Sequence, residues 1–307
     1  MKNEENCFLK VKNNYLSFLK KEKIFDKSYS VKIKNLKKIY IPISFWIEEK
    51  YKKKGKTLFL GFSGGQGSGK TTISAILKII LGNFFKRRVY ISSIDDFYKT
   101  LKTRKEMSQK IHPLFRTRGV PGTHDINFVS KLFNDVQKKK FKKIVLPKFN
   151  KATDDRLQKK YWYKIKKKPE IVILEGWCIG AKPQKNSIIK KSINVLEKRE
   201  DQNLIWRKHV NERLKKEYKK IFLMIDHLIF MKVPNFKMVF KWRLLQENKL
   251  KKRSHLKKNI MSYRAIKRFI MFYERITLQM LKDLSKSASI VMFLKKNHEF
   301  KKILFKS

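Results

Sequence analysis

Apolar residues along the chain fall into short blocks of strand length, separated by longer stretches in which they recur at helical spacing. The blocks at 58–62, 88–94, 144–146, 171–174, 228–231 and 290–294 read as strands. Ile73, Ile76, Leu77 and Ile80 mark a helix after the first block, and Phe128, Leu132, Phe133 and Val136 mark another, with Asp125 placed as its cap. Two more helices are expected around 235–250 and 262–285, joined by a lysine-rich turn at 249–258. Pro42 suits the first turn of a helix carrying Ile43, Trp46 and Ile47, and residues 52–56 link it to the first strand. Residues 101–125, with Pro113, Gly119, Pro121 and Gly122, read as a loop-rich excursion, and residues 182–220 as a polar helical one. Leu9, Tyr15, Phe18, Leu19 and Ile24 form a weak helical stripe in a lysine-rich start. The pattern predicts an α/β fold with a mainly parallel, five-stranded sheet and helices on both faces. It divides the chain into an N-terminal helical appendage, 1–35, and one domain, 36–307.

The segment after the first strand turns the fold class into chemistry. Gly64-Gly65-Gln66-Gly67-Ser68-Gly69-Lys70-Thr71-Thr72 satisfies the pattern G-x-x-x-x-G-K-[ST] and lies between an expected strand and an expected helix. A chance glycine-rich turn would not be flanked in this way. Glycines let backbone N–H groups close on phosphate oxygens, and the start of the helix adds its positive dipole end. Lys70 would reach the β and γ phosphates of ATP, and the Thr71 hydroxyl would bind Mg²⁺. The expected architecture is thus that of the P-loop NTPase fold.

Two acidic positions stand where such a site needs them. Asp95 ends the second strand, where open α/β sheets bind ligands, and can accept a proton from an attacking hydroxyl. Asp96 can serve instead, or either aspartate can hold Mg²⁺ through water; a capped turn is the plain alternative. Glu175 closes the run Ile171-Val172-Ile173-Leu174 and would sit beside the P-loop near the metal. Arg116, Arg118, His124 and Asp125 surround the turn Gly119-Val120-Pro121-Gly122. Pro147-Lys148-Phe149-Asn150-Lys151 and Asp154-Asp155-Arg156 form another polar group. In isolation both stretches read as ordinary loops.

Composition alters this picture little. A formal net charge of +52 raises the question of a polyanionic partner, but the lysines are spread along the whole chain, so no specific nucleic-acid partner is expected. The charge should steer small anions inward. No apolar run reaches membrane-spanning length, and the start lacks an apolar signal core. Cys7 and Cys178 give neither a disulfide framework nor metal-ligand spacing, which fits a reducing cytoplasm.

Taken in order, several of these stretches resemble the glycerate kinase (D-glycerate 3-kinase) family, within the phosphoribulokinase, uridine kinase and pantothenate kinase group of P-loop kinases. They begin with Gly61-Phe62-Ser63 and the glycine loop, Ser93-Ile94-Asp95-Asp96-Phe97-Tyr98, and Arg118-Gly119-Val120-Pro121-Gly122-Thr123-His124-Asp125. Pro147 to Lys151, Leu174-Glu175-Gly176-Trp177, Trp242-Arg243-Leu244-Leu245-Gln246-Glu247 and Tyr273-Glu274-Arg275-Ile276-Thr277 continue the likeness, which covers about residues 36–298. The glycine loop is shared with many enzymes, whereas the stretches from Arg118 and from Trp242 are much more specific. The resemblance implies ATP-dependent phosphorylation of a small hydroxy acid. By it, Asp95 matches the catalytic base, Glu175 the acid beside Mg²⁺, Arg118 and His124 part of the acceptor pocket, and Arg243 a nucleotide contact from a helix. Asn150 and Ser289 stand where the family usually has Asp. The alternatives are a kinase of another small alcohol, such as a nucleoside or pantothenate, and a basic nucleic-acid-binding ATPase.

Overall fold

The computed structural model describes residues 2–24, 27–253 and 261–306. Six strands form the central sheet: β1 (Leu58–Gly64), β2 (Val89–Ser93), β3 (Ile171–Gly176), β4 (His227–Lys232), β5 (Ile290–Leu294) and β6 (Phe300–Phe305). Their order across the sheet is β6-β5-β4-β1-β3-β2. The first five in sequence run parallel, and β6 pairs antiparallel with β5 at the edge. This sixth strand was not expected. Its two lysines and half-exposed apolar positions blur any strand pattern, as befits an edge.

Six helices matter for the site: α1 (Lys2–Lys21), α2 (Ile41–Lys54), α3 (Lys70–Asn83), α4 (Ile126–Gln137), α5 (Phe236–Arg253) and α6 (Tyr263–Ser287). Every residue of β1 and β3 is buried, because helices cover both faces. Alternate side chains feed separate cores, as the two-residue period of a strand requires. Leu58, Leu60 and Phe62 join Ile171 and Ile173 on the face covered by α1, α2 and α3. Phe59, Val172 and Leu174 face the other way, among Phe133 of α4 and Phe272, Ile276 and Met280 of α6. Cys7, Val11 and Tyr15 of α1 lie in the first core.

Several local expectations change. The 144–146 strand lies outside the main sheet and pairs antiparallel with Tyr163–Ile165. Residues 101–125, expected as loop, contain a helix, Leu101–Lys110, whose N-terminus is capped by the Thr100 hydroxyl. Its inward residues are Met107 and the fully buried Arg104, so no apolar stripe announced it. Asp125 stands at the N-cap of α4 but makes no capping bond; its carboxylate turns to Arg156 at 3.5 Å. The first part of the turn expected at 249–258 continues α5 as far as Arg253, and the rest lies outside the described residues. Among the described residues, no helix is long and apolar enough to cross a membrane.

Candidate active site

The glycine loop joins the buried end of β1 to α3, and its glycines answer two different demands. Gly64 has no room for a side chain, since a Cβ there would lie 2.9 Å from that of Met231. Gly69, with φ +96, faces open space where the loop turns into the helix. Lys70 Nζ donates to the carbonyl oxygens of Gly64 at 2.8 Å and Gly65 at 3.0 Å, so its charge lies over the loop. Burial lowers its pKa, and Glu175 and Asp95 oppose that shift. The Thr71 hydroxyl donates to both Glu175 carboxylate oxygens, at 2.9 and 3.1 Å. Glu175 is only 4% exposed, at the end of β3 between Phe62 of β1 and Ser93 of β2.

A cleft of about 260 Å³ opens over this pair at the C-terminal ends of the parallel strands. Gln66, Gly67, Gly69, Lys70, Thr71 and Thr72 line it together with Asp95, Tyr98, Arg118 and Lys151, and Arg243 and Tyr273 are also in the wall. Gly64, Gly65 and Ser68 support the loop without lining the cleft. Asp95 lies in the short turn Ile94–Phe97 after β2 and accepts hydrogen bonds from Lys151 Nζ at 2.6 Å and the Tyr98 hydroxyl at 3.0 Å. Burial alone would raise its pKa, but Lys151, with help from His124 and Tyr98, brings it down to about 2. Asp96 points elsewhere and accepts from the Phe149 amide at 3.3 Å. Burial, reinforced by the Asp95 charge, pushes its carboxyl up to about 6.

The two residues assigned to the acceptor by resemblance part company. Arg118 reaches the cleft, paired with Asp154, whose other oxygen binds the fully buried Arg104 at 3.1 Å. His124 does not reach it. It stacks behind Tyr98 with ring centres 4.4 Å apart, and its Nδ1 meets the Tyr218 hydroxyl at 2.6 Å. Burial takes its pKa down to about 4, so it is a neutral ring at neutral pH. Arg243 enters the cleft from α5, held by Gln246 and Glu247 and lying over the Phe269 ring at 5.6 Å.

No protein-family model matches the chain. Over 218 residues it is 32% identical to an uncharacterized kinase of Schizosaccharomyces pombe, a match covering 68% of this chain and 77% of that one. Over 225 residues it is 28% identical to the chloroplastic D-glycerate 3-kinase of Arabidopsis thaliana, covering 68% of this chain and 47% of the plant protein. The chain belongs to the glycerate kinase family of P-loop kinases. The solved structure of D-glycerate 3-kinase from Cryptococcus neoformans var. grubii shares the fold, with a TM-score of 0.73 over 87% of this chain and 99% of that one at 19% identity.

Within this kinase the departures at Asn150 and Ser289 fall outside the cleft. Asn150 turns back to accept from the Ala152 amide at 2.9 Å in its own hairpin. Ser289 precedes β5 at the opposite end of the sheet, 3.4 Å from the Leu228 amide. Residues that sequence reasoning did not single out as site residues are Tyr98, Lys151, Tyr273 and Asp154. The first three stand inside the stretches that carry the family resemblance, and that was the available signal. A divalent ion fits the donors present. Thr71 and Glu175 offer hard oxygens, and the buried amide of Gln66 has no partner among the described residues. No group of three or more His, Cys, Asp or Glu suited to a metal occurs among those residues. The short set suits Mg²⁺, which shares its shell with phosphates and water.

Proposed function

We propose that this kinase transfers the γ-phosphoryl group of ATP to a hydroxyl of D-glycerate. The observation that carries the reading is that Asp95, bonded to Lys151, lines one cleft with Arg118, Lys70 and the Thr71–Glu175 pair. A small hydroxy acid needs a base at its hydroxyl and a cation at its carboxylate, and that cleft supplies both. Asp95 would accept the hydroxyl proton. Arg118 would hold the carboxylate, and Tyr98 would keep Asp95 oriented, backed by His124. The glycine-loop amides and Lys70 would bind the phosphates, with Arg243 on the nucleotide from α5. Thr71 and Glu175 would hold Mg²⁺, which when bound offsets charge on the transferred phosphoryl group. The proposed setting is a reducing compartment, since both cysteines are unpaired.

The test is ATP consumption by the purified kinase across small hydroxy acids, nucleosides and pantothenate, with Lys70→Ala as control. D-Glycerate should turn over best, and Lys70→Ala should lose roughly a thousandfold or more in rate. Turnover of a nucleoside alone would overturn the acceptor. A fully active Lys70→Ala would overturn the phosphate site.

A further inference from the structure

The apex of the glycine loop is held from outside by a part of the chain remote from it. The β5–β6 turn places His298 Nε2 2.9 Å from the Gly67 carbonyl oxygen. A carbonyl only accepts, so Nε2 carries the hydrogen. The His298 ring also stacks on Trp242 of α5, with centroids 4.0 Å apart and planes 28° apart. Trp242 is 1% exposed, and its indole donates to the Lys296 carbonyl in the same turn at 3.1 Å. It also closes the space under the loop, since a Cβ on Gly67 would come within 2.9 Å of the Trp242 Cβ. His298 itself adopts φ +62, an uncommon conformation for a residue with a side chain, in a turn closed by His298 N–H to Lys295 O at 3.1 Å.

We propose that His298 is a positioning residue for nucleotide binding: its hydrogen bond to Gly67 fixes the orientation of the peptide unit at the tip of the phosphate loop. The reason is geometric. Gly67 has φ +74 and no side chain, so little within the residue resists rotation of the following peptide plane. In a trans peptide the carbonyl and the next N–H point in opposite directions. Holding the Gly67 carbonyl outward therefore keeps the Ser68 N–H turned into the loop, where it meets the Gly65 carbonyl at 3.3 Å. That bond closes the turn from Gly65 to Ser68, next to Gly67 and Gly69, which line the cleft where a phosphate nest would form. Arg243 follows Trp242 on α5, so the same stack ties the loop tip to a second wall of the cleft. The inference rests on the P-loop reading of this cleft and adds a residue outside the motif.

Two substitutions separate the hydrogen bond from the packing. His298→Phe keeps a flat ring on Trp242 and removes the donor. His298→Gln removes the ring and supplies an amide N–H with similar reach. Both bear a backbone cost at a left-handed position and only the glutamine restores a donor, so recovery in His298→Gln despite its lost ring reports the hydrogen bond. The measurement is the Kd for ATP without acceptor, followed by KM for ATP and for D-glycerate. His298→Phe should weaken ATP by about three- to tenfold, the scale of one lost hydrogen bond. His298→Gln should recover most of that, and the KM for D-glycerate should change less than about twofold in either. Equal ATP affinities in the two variants, whether parental or weakened, would overturn the proposal. If the parent binds ATP and only Lys70→Ala weakens it, the phosphate site stands and the role of His298 falls. A parent that does not bind ATP removes the reading beneath it, and the inference with it.

Discussion

Lys151 Nζ lies 2.6 Å from Asp95 Oδ2, joining a hairpin residue to the end of β2 across the mouth of the cleft. Burial would otherwise raise the Asp95 pKa, and this ammonium is the main reason that it is lowered to about 2. The carboxylate is therefore ionised, and able to accept a proton, throughout the working pH range. Lys151→Met should move the acid limb of kcat/KM upward, because the pKa then rises toward and beyond the usual carboxylate value. Asp95→Asn should lower kcat by about a hundredfold to ten-thousandfold at every pH with little change in ATP affinity. Superimposable pH profiles for Lys151→Met and the parent would show that the pair does not govern the titration.

Asp96 makes the opposite prediction. Its folded-state pKa, raised to about 6, exceeds that of an unfolded aspartate, so the folded chain binds the extra proton more tightly. This contribution is present at low pH and is lost as pH rises from about 4 through about 6. Asp96→Asn keeps an acceptor for the Phe149 amide and removes only the charge. Relative to the parent, the variant should gain about 1–3 kcal/mol between pH 4 and pH 8. Urea unfolding of both proteins at the two pH values checks this, and a constant difference would contradict it.

At the metal side, Glu175→Gln should raise the Mg²⁺ concentration needed for half-maximal rate while leaving metal-free ATP binding nearly unchanged. An amide oxygen lacks the net charge of the carboxylate but can still accept from Thr71. An unaltered Mg²⁺ titration would confine Glu175 to holding the Thr71 hydroxyl.

Arg118 and Asp154 should act on the acceptor alone. Arg118→Ala should raise the KM for D-glycerate about tenfold or more, the scale of a hydrogen bond to a charged group, with the KM for ATP nearly constant. Asp154→Asn should have a smaller effect in the same direction, because Arg118 loses the carboxylate that ties it to buried Arg104. Steady-state kinetics with each substrate varied decide the matter, and a change in ATP KM alone would move Arg118 to the other half of the cleft.

The parts of the site legible in sequence are those specified locally. The glycine loop is contiguous, and Asp95 and Glu175 each follow a strand-length run of mainly apolar residues, so the pattern placed them at the C-terminal ends of strands in one parallel sheet. Lys151 reaches Asp95 over a separation of 56 residues and is one of 77 basic residues, so apart from its place in a stretch resembling the family nothing distinguishes it. His124 could be assigned only by resemblance; its stacking behind Tyr98 depends on how the 119–124 turn pairs with the segment after β2. The fold was legible on the same terms. The five parallel strands announce themselves as apolar blocks. The Leu101–Lys110 helix hides behind a buried arginine, and β6 is an edge with lysines on it.

Cys7, Val11 and Tyr15 press α1 onto the helix that begins at Lys70. That helix lies between the sheet and α1, so its buried turns cannot open unless α1 lifts away as well. Amide protons in α1 and in the buried turns of α3 should therefore exchange with deuterium through a shared opening. The helix that carries Lys70 is thus backed by residues outside the cleft.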